Sequence, residues 1–198
     1  MKRNLLLLMA LLTVRLAQAE TWNLNSNGDW GVAANWSPIG VPSGIGDTAL
    51  FGTVITADRT ITQNLASVTL GVLLFNDDNN YTLVGNPITM FAAGDAVLAV
   101  NTSTNLGNHT IRNNLTLGSS VSLANPSSGR LSLEGVVSGF GDVTVSGGGL
   151  IRLAGAASNT HAGQFKVVDG IVELAKNSGQ NAIAGPLLVS GTTARVSW

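Results

Sequence analysis

Past about residue 53 the chain alternates apolar and polar positions with a period of two, in short runs at 53–56, 59–62, 67–70, 81–84, 96–100, 114–117, 120–123 and 130–133. Such alternation, rich in Val, Ile, Thr and Leu, places every second side chain on one face of an extended strand. Between the runs stand Asn, Asp, Gly and Pro clusters at 76–80, 94–95, 125–129 and 147–149, residue types that favour turns. No segment sustains a helical period, so the chain is expected to be all-β.

Two all-β architectures satisfy the pattern: a sandwich or barrel with one closed core, and a solenoid that stacks coil on coil. Repetition separates them. Gly139, Gly149, Gly163, Gly170, Gly185 and Gly191 each precede a strand-like run, a repeat signature rather than a Greek key. The expected fold is a right-handed single-stranded parallel β-helix, a β-solenoid, over residues 53–198. At roughly 20 residues per coil, residues 20–198 supply about nine coils around an inward column of Val, Leu and Ile.

Residues 20–52 read differently, as an irregular tryptophan-rich N-terminal cap. Trp22, Trp30 and Trp36 fall within it, with Pro38 and Pro42 discouraging further strand addition. The indoles suit the open end of an apolar column, which must be covered. Their large flat faces also suit stacking on sugar rings, which makes Trp22, Trp30 and Trp36 the candidate glycan contacts.

Ahead of the cap, Lys2 and Arg3 precede an apolar run from Leu5 to Val14 and then Ala17-Gln18-Ala19, the A-x-A form of a signal-peptidase site. Residues 1–19 are therefore expected to be a signal peptide, with Glu20 the mature N-terminus. The run is half the roughly 20 residues that span a bilayer. Export implies a cell-surface, outer-membrane or extracellular location. The absence of cysteine then leaves packing and backbone hydrogen bonds to hold the fold. Charged residues make up only 11% of the chain, and 10 Lys+Arg stand against 11 Asp+Glu, so no nucleic-acid partner is expected.

The stretch from Gly139 to about Leu174 resembles the autotransporter-associated β-strand repeat. The carriers are Gly139 and Gly141 with Val143, Gly149-Leu150-Ile151-Arg152-Leu153-Ala154-Gly155, Asn159-Thr160-His161-Ala162-Gly163 with Val167, and Gly170 with Val172. His161 stands where that repeat usually has tyrosine, and Phe165 where it has threonine. The resemblance implies a β-helical passenger domain with adhesive, display or matrix roles. It also implies an outer-membrane barrel or sorting anchor further along, so the chain is expected to be a passenger fragment ending at Trp198.

Catalytic patterns are sparse. There is no G-x-S-x-G elbow and no H-E-x-x-H pair, and His109 and His161, each in a Gly/Asn/Thr setting, read as solvated turn residues. Asp77-Asp78 reads as part of a polar turn, with a hard-cation site as the alternative. Gly139-Phe140-Gly141-Asp142 resembles one calcium nonapeptide without a tandem copy. Asp142, Asp169 and Glu173 would form a carbohydrate-active site only if neighbouring coils brought them together. Arg112, Arg130 and Arg152 recur about once per coil, as solvated ladder positions or a glycan-facing stripe. No catalytic residue, cofactor or metal is assigned. The leading expectation is a non-catalytic adhesion or structural scaffold that meets surface glycans or matrix; the alternatives are a carbohydrate-active β-helix and a spacer for a further domain.

Overall fold

The computed structural model describes residues 17–100, 106–126 and 128–198. The Leu5–Val14 run, on which the signal-peptide reading rests, lies outside the described residues. The chain is a parallel β-solenoid of about seven turns. Among the described residues, strands assemble into three sheets of nine, eight and four. The first runs through Ala19–Trp22, Thr48–Phe51, Val72–Phe75, Ala96–Val100, Val121–Ala124, Val143–Ser146, Phe165–Val167 and Leu187–Val189, all parallel. The short strand Trp36–Ser37 joins it antiparallel, beside Ala19–Trp22.

Register explains why short alternating runs suffice. In the second sheet Ile61, Leu83, Ile111, Leu133, Leu153 and Leu174 pair in succession, each 20 to 28 residues beyond the last. In the first sheet Ala49, Leu73, Leu98, Leu123, Val145 and Val167 do the same. Because each coil repeats the in–out pattern of its neighbour, the inward side chains meet as one buried column. A one-residue slip would turn that column out to water. The longer coils, and the residues devoted to the cap, are why there are about seven turns rather than nine.

Two local expectations change. Residues 53–56 form a turn and no strand, closed by the Asn25 side chain, whose Oδ1 accepts the Thr56 amide at 3.0 Å. The parallel ladder also starts before residue 53, because Ala19–Trp22 and Thr48–Phe51 already pair in register. The four-stranded sheet covers the third face only along part of the rod, through Val68–Leu70, Ile88–Met90, Leu115–Leu117 and Val137–Gly139. One coil later that face is carried by hydrogen bonds alone: the Thr160 and Ala162 amides donate to the Val137 and Gly139 carbonyls at 2.8 and 2.9 Å.

Corners are where residue identity matters most. At Gly155 the backbone has φ +103°, and a Cβ there would lie 2.0 Å from the Glu134 carbonyl oxygen of the preceding coil. Only a glycine satisfies both the left-handed backbone and the coil spacing. Asn159 staples three coils: its Oδ1 accepts the Val137 amide at 2.8 Å, and its Nδ2 donates to the Ala182 carbonyl at 2.7 Å.

Candidate functional site

The three tryptophans do not face solvent. Trp22, Trp30 and Trp36 are buried, with indole N–H groups donating to the carbonyls of Leu24, Pro42 and Trp30 at 2.8, 3.0 and 2.8 Å. Their rings pack on one another at 5.2 Å for Trp22–Trp36 and 4.9 Å for Trp30–Trp36. The candidate glycan contacts Trp22, Trp30 and Trp36 are therefore corrected: with their ring faces packed, they have none left for a sugar. They sit instead over the first core positions, with Trp30 at 5.6 Å from Phe51.

From that cap an aromatic stack descends one ring per coil. Phe51 stacks on Phe75 at 5.4 Å, and Phe75 on His109 at 4.9 Å, with ring planes 17° and 16° apart. His109 is thus not a solvated turn residue. It is fully buried in the strand Asn108–Ile111, in register with Leu131 and pointing inward. Its Nδ1 accepts the Tyr81 amide at 3.2 Å, which requires a neutral ring. Burial lowers its pKa to about 4, opposed weakly by the Asp77 carbonyl and the Asp58 carboxylate. Burial likewise pushes the Tyr81 phenol above its usual value, and its hydroxyl donates to the Gly52 carbonyl at 2.6 Å. His161 is also buried, edge-on to Phe165 at 5.7 Å, and burial lowers its pKa.

Both histidines left a trace in the sequence. Period-two alternation puts His109 and Ile111 on one face, and the resemblance to the autotransporter-associated repeat aligns His161 with a position where that repeat usually has tyrosine. The composition of their surroundings, full of Asn, Thr and Gly, hid that trace, because those residues are the outward half of the same strands and turns.

The carboxylates serve separate partners. Asp77 folds back on its own turn, its Oδ1 accepting the amide and Nδ2 of Asn79 at 2.7 and 3.0 Å; it is buried, whereas Asp78 accepts the Leu106 amide at 2.9 Å. Asp142 accepts the Gln164 amide at 2.7 Å, one coil on. Asp169 accepts the Gly170 amide at 2.8 Å and the Thr193 hydroxyl. Glu173 pairs with Arg152 at 2.9 Å. Asp142, Asp169 and Glu173 thus lie before one strand, in a turn and within another strand, each with its own partner. Among the described residues no three acidic or imidazole groups gather to hold a metal ion.

Arg112, Arg130 and Arg152 share the outer face of the second sheet but not a row. Register places Arg130 beside Asn108 and Leu150, Arg152 beside Ser132 and Glu173, and Arg112 one position past the Ile111–Leu133 pair. Arg112 bonds Glu134 at 2.9 Å across coils. A straight basic stripe does not form.

Among the described residues the middle of the column holds little free space, whereas a wider, open concavity of about 440 Å³ lies at the last coils against Leu174, Ala182, Ile183 and Trp198. A cavity of about 20 Å³ between Leu98, Leu117, Leu153, His161 and Phe165 has room for about one water. No family model, curated protein or solved structure matches the chain. The outer faces of the sheets differ in chemistry. The second sheet carries the Arg–Glu pairs, whereas the four-stranded sheet carries Thr69, Thr89, Thr116 and Ser138 in one outward row.

Proposed function

We propose that the protein is an exported β-helical passenger, a surface-displayed or secreted adhesion and structural scaffold that works by contact rather than catalysis. The observation that carries this reading is the register itself. Outward positions repeat coil after coil, so the rod displays side chains at a constant spacing of about 4.8 Å along its length. Such a surface suits long, repetitive partners such as glycans or matrix polymers.

The repeat-like stretch from Gly139 to Leu174 supports the same reading, and so does the leader-like start. Cleavage after Ala19 would remove the Ala19–Thr48 pair and the two Gln18 hydrogen bonds to Asp47 and Thr48, and keep Glu20–Ala49 and Thr21–Leu50. The test is expression of the full chain in a Gram-negative host, followed by fractionation and N-terminal sequencing. The expected result is protein outside the cytoplasm starting at Glu20, which, coated on beads, retains them on cell-surface or matrix preparations. Cytoplasmic protein with an intact Met1, or beads that bind no better than uncoated ones, overturns the proposal.

A further inference from the structure

Resting on the adhesive role proposed above and naming its ligand class, we infer that the outer face of the four-stranded sheet binds a neutral linear polysaccharide along the solenoid axis, with Phe91 and Phe140 stacking on its sugar rings.

The row of hydroxyls comes first. Thr69 pairs with Thr89, Thr89 with Thr116, and Thr116 with Ser138, so four successive coils present a hydroxyl at the same outward position. Thr116 and Ser138 are within 3.4 Å of each other across coils. Two residues further along each strand a second outward row follows. Its register is set by the continuing ladder: the Phe91, Gly118 and Phe140 amides donate to Leu70, Met90 and Leu117 at 2.7, 2.9 and 3.1 Å. That row therefore reads Gly71, Phe91, Gly118 and Phe140, the two rings separated by a glycine.

The glycine makes the spacing possible. A Cβ at Gly118 would lie 2.9 Å from the Phe91 ring, so the ring leans over the glycine and the surface there stays flat. Phe140, two strand spacings or roughly 10 Å from Phe91 along the rod, is 88% exposed. Two apolar rings at alternate coils beside a line of hydroxyls match an extended glycan. Each sugar has an apolar C–H face for a ring and an edge of hydroxyls for Thr and Ser, and two strand spacings approximate two sugar units.

Charge and size choose among occupants. No Asp, Glu, Lys or Arg stands within the four strands or at the residue following each, in contrast to the Arg112–Glu134 and Arg152–Glu173 pairs of the second sheet. An anionic glycan or a phosphate-bearing surface would find no counter-charge. The strip is four strands long and two outward rows wide, far below the roughly 800 Å² per partner of a stable protein interface. A polysaccharide fits, because it gains by repeating a small contact along its length.

The test measures binding of the purified protein to hexasaccharides of β-linked glucose, xylose and N-acetylglucosamine by calorimetry, with a galacturonate hexamer as the anionic control. At least one neutral hexasaccharide should bind, with affinity unchanged by added salt. Phe140→Ala should weaken it at least about tenfold and Thr116→Val severalfold. Because Phe140 is exposed, Phe140→Ala should keep the wild-type thermal midpoint, and Phe91→Ala, checked the same way, should lose affinity in parallel. Binding that is unchanged in both phenylalanine variants, binding only of the anionic hexamer, or no binding at all overturns the inference. Bead retention that persists in Phe140→Ala would then separate a failure of this site from a failure of the adhesive role.

Discussion

His109 shows how one residue ties the fold to pH. Its ring replaces a phenylalanine or tyrosine in the aromatic stack while accepting the Tyr81 amide of the preceding coil. Folded, it titrates near pH 4; unfolded, near the ordinary histidine value of about 6.5. Between these values the unfolded chain binds a proton that the folded chain refuses, so the full stability present above pH 6.5 falls as pH falls. The slope approaches about 1.4 kcal/mol per pH unit and the total about 3 kcal/mol. His161, lowered in the same direction by burial, adds to it. Urea midpoints measured from pH 7 to 4 should decline through this window, and His109→Phe should flatten the decline; an equal slope in the variant would assign the effect elsewhere. The cap makes a second prediction at this scale. Trp30→Ala removes a buried ring that touches Trp36 and Phe51, and should cost about 3–5 kcal/mol, read as a lowered thermal midpoint.

Among the elements, the turns are more demanding than the strands. Gly155→Ala forces a Cβ against the Glu134 carbonyl and a positive φ on an L-residue, and should destabilise by about 2 kcal/mol or more. Gly148→Ala, where no atom lies within 4 Å of the added Cβ, should change stability by less than about 0.5 kcal/mol. Paired chemical denaturation curves check both. Asn159→Leu strands a buried amide and a carbonyl on opposite coils and should cost about 1–3 kcal/mol for each. The runs at 59–62, 81–84 and 130–133 are legible as strands because polar and apolar residues interleave in them, and 96–100 because a short apolar run follows the turn residues at 94–95. Residues 53–56 share the β-branched composition of those strands, yet form a turn. With no partner strand on the neighbouring coil, the Thr56 amide donates to the Asn25 side chain and the Ile55 carbonyl accepts from Asn79 Nδ2. The strand Val72–Phe75 lies within the apolar-rich stretch Ser67–Phe75, strand-sized in the sequence but with no alternation across 72–75 to fix which side chains face inward.

For the whole molecule, stability should grade along the axis, because each coil touches only its neighbours. At one end Trp22, Trp30 and Trp36 cover the column; at the other Leu187, Leu188 and Val189 are exposed. Hydrogen exchange on the 198-residue chain should protect the amides of Leu73, Leu98 and Leu123 far longer than those of Leu187–Val189. Equal protection throughout would mean that the rod opens as one unit. Composition, alternation and recurring glycines by themselves determined an all-β chain that repeats, since a two-residue period and φ-permissive corners are local properties readable one segment at a time. Which rows come together was not local. Coil lengths of 20 to 28 residues set the register that stacks His109 on Phe75 and keeps the acids apart, while the tryptophans close on one another through the antiparallel pairing of Trp22 with Trp36. The register also aligned Phe91 with Phe140 on an uncharged face, because residues far apart in the chain become neighbours only when each coil stacks on the one before.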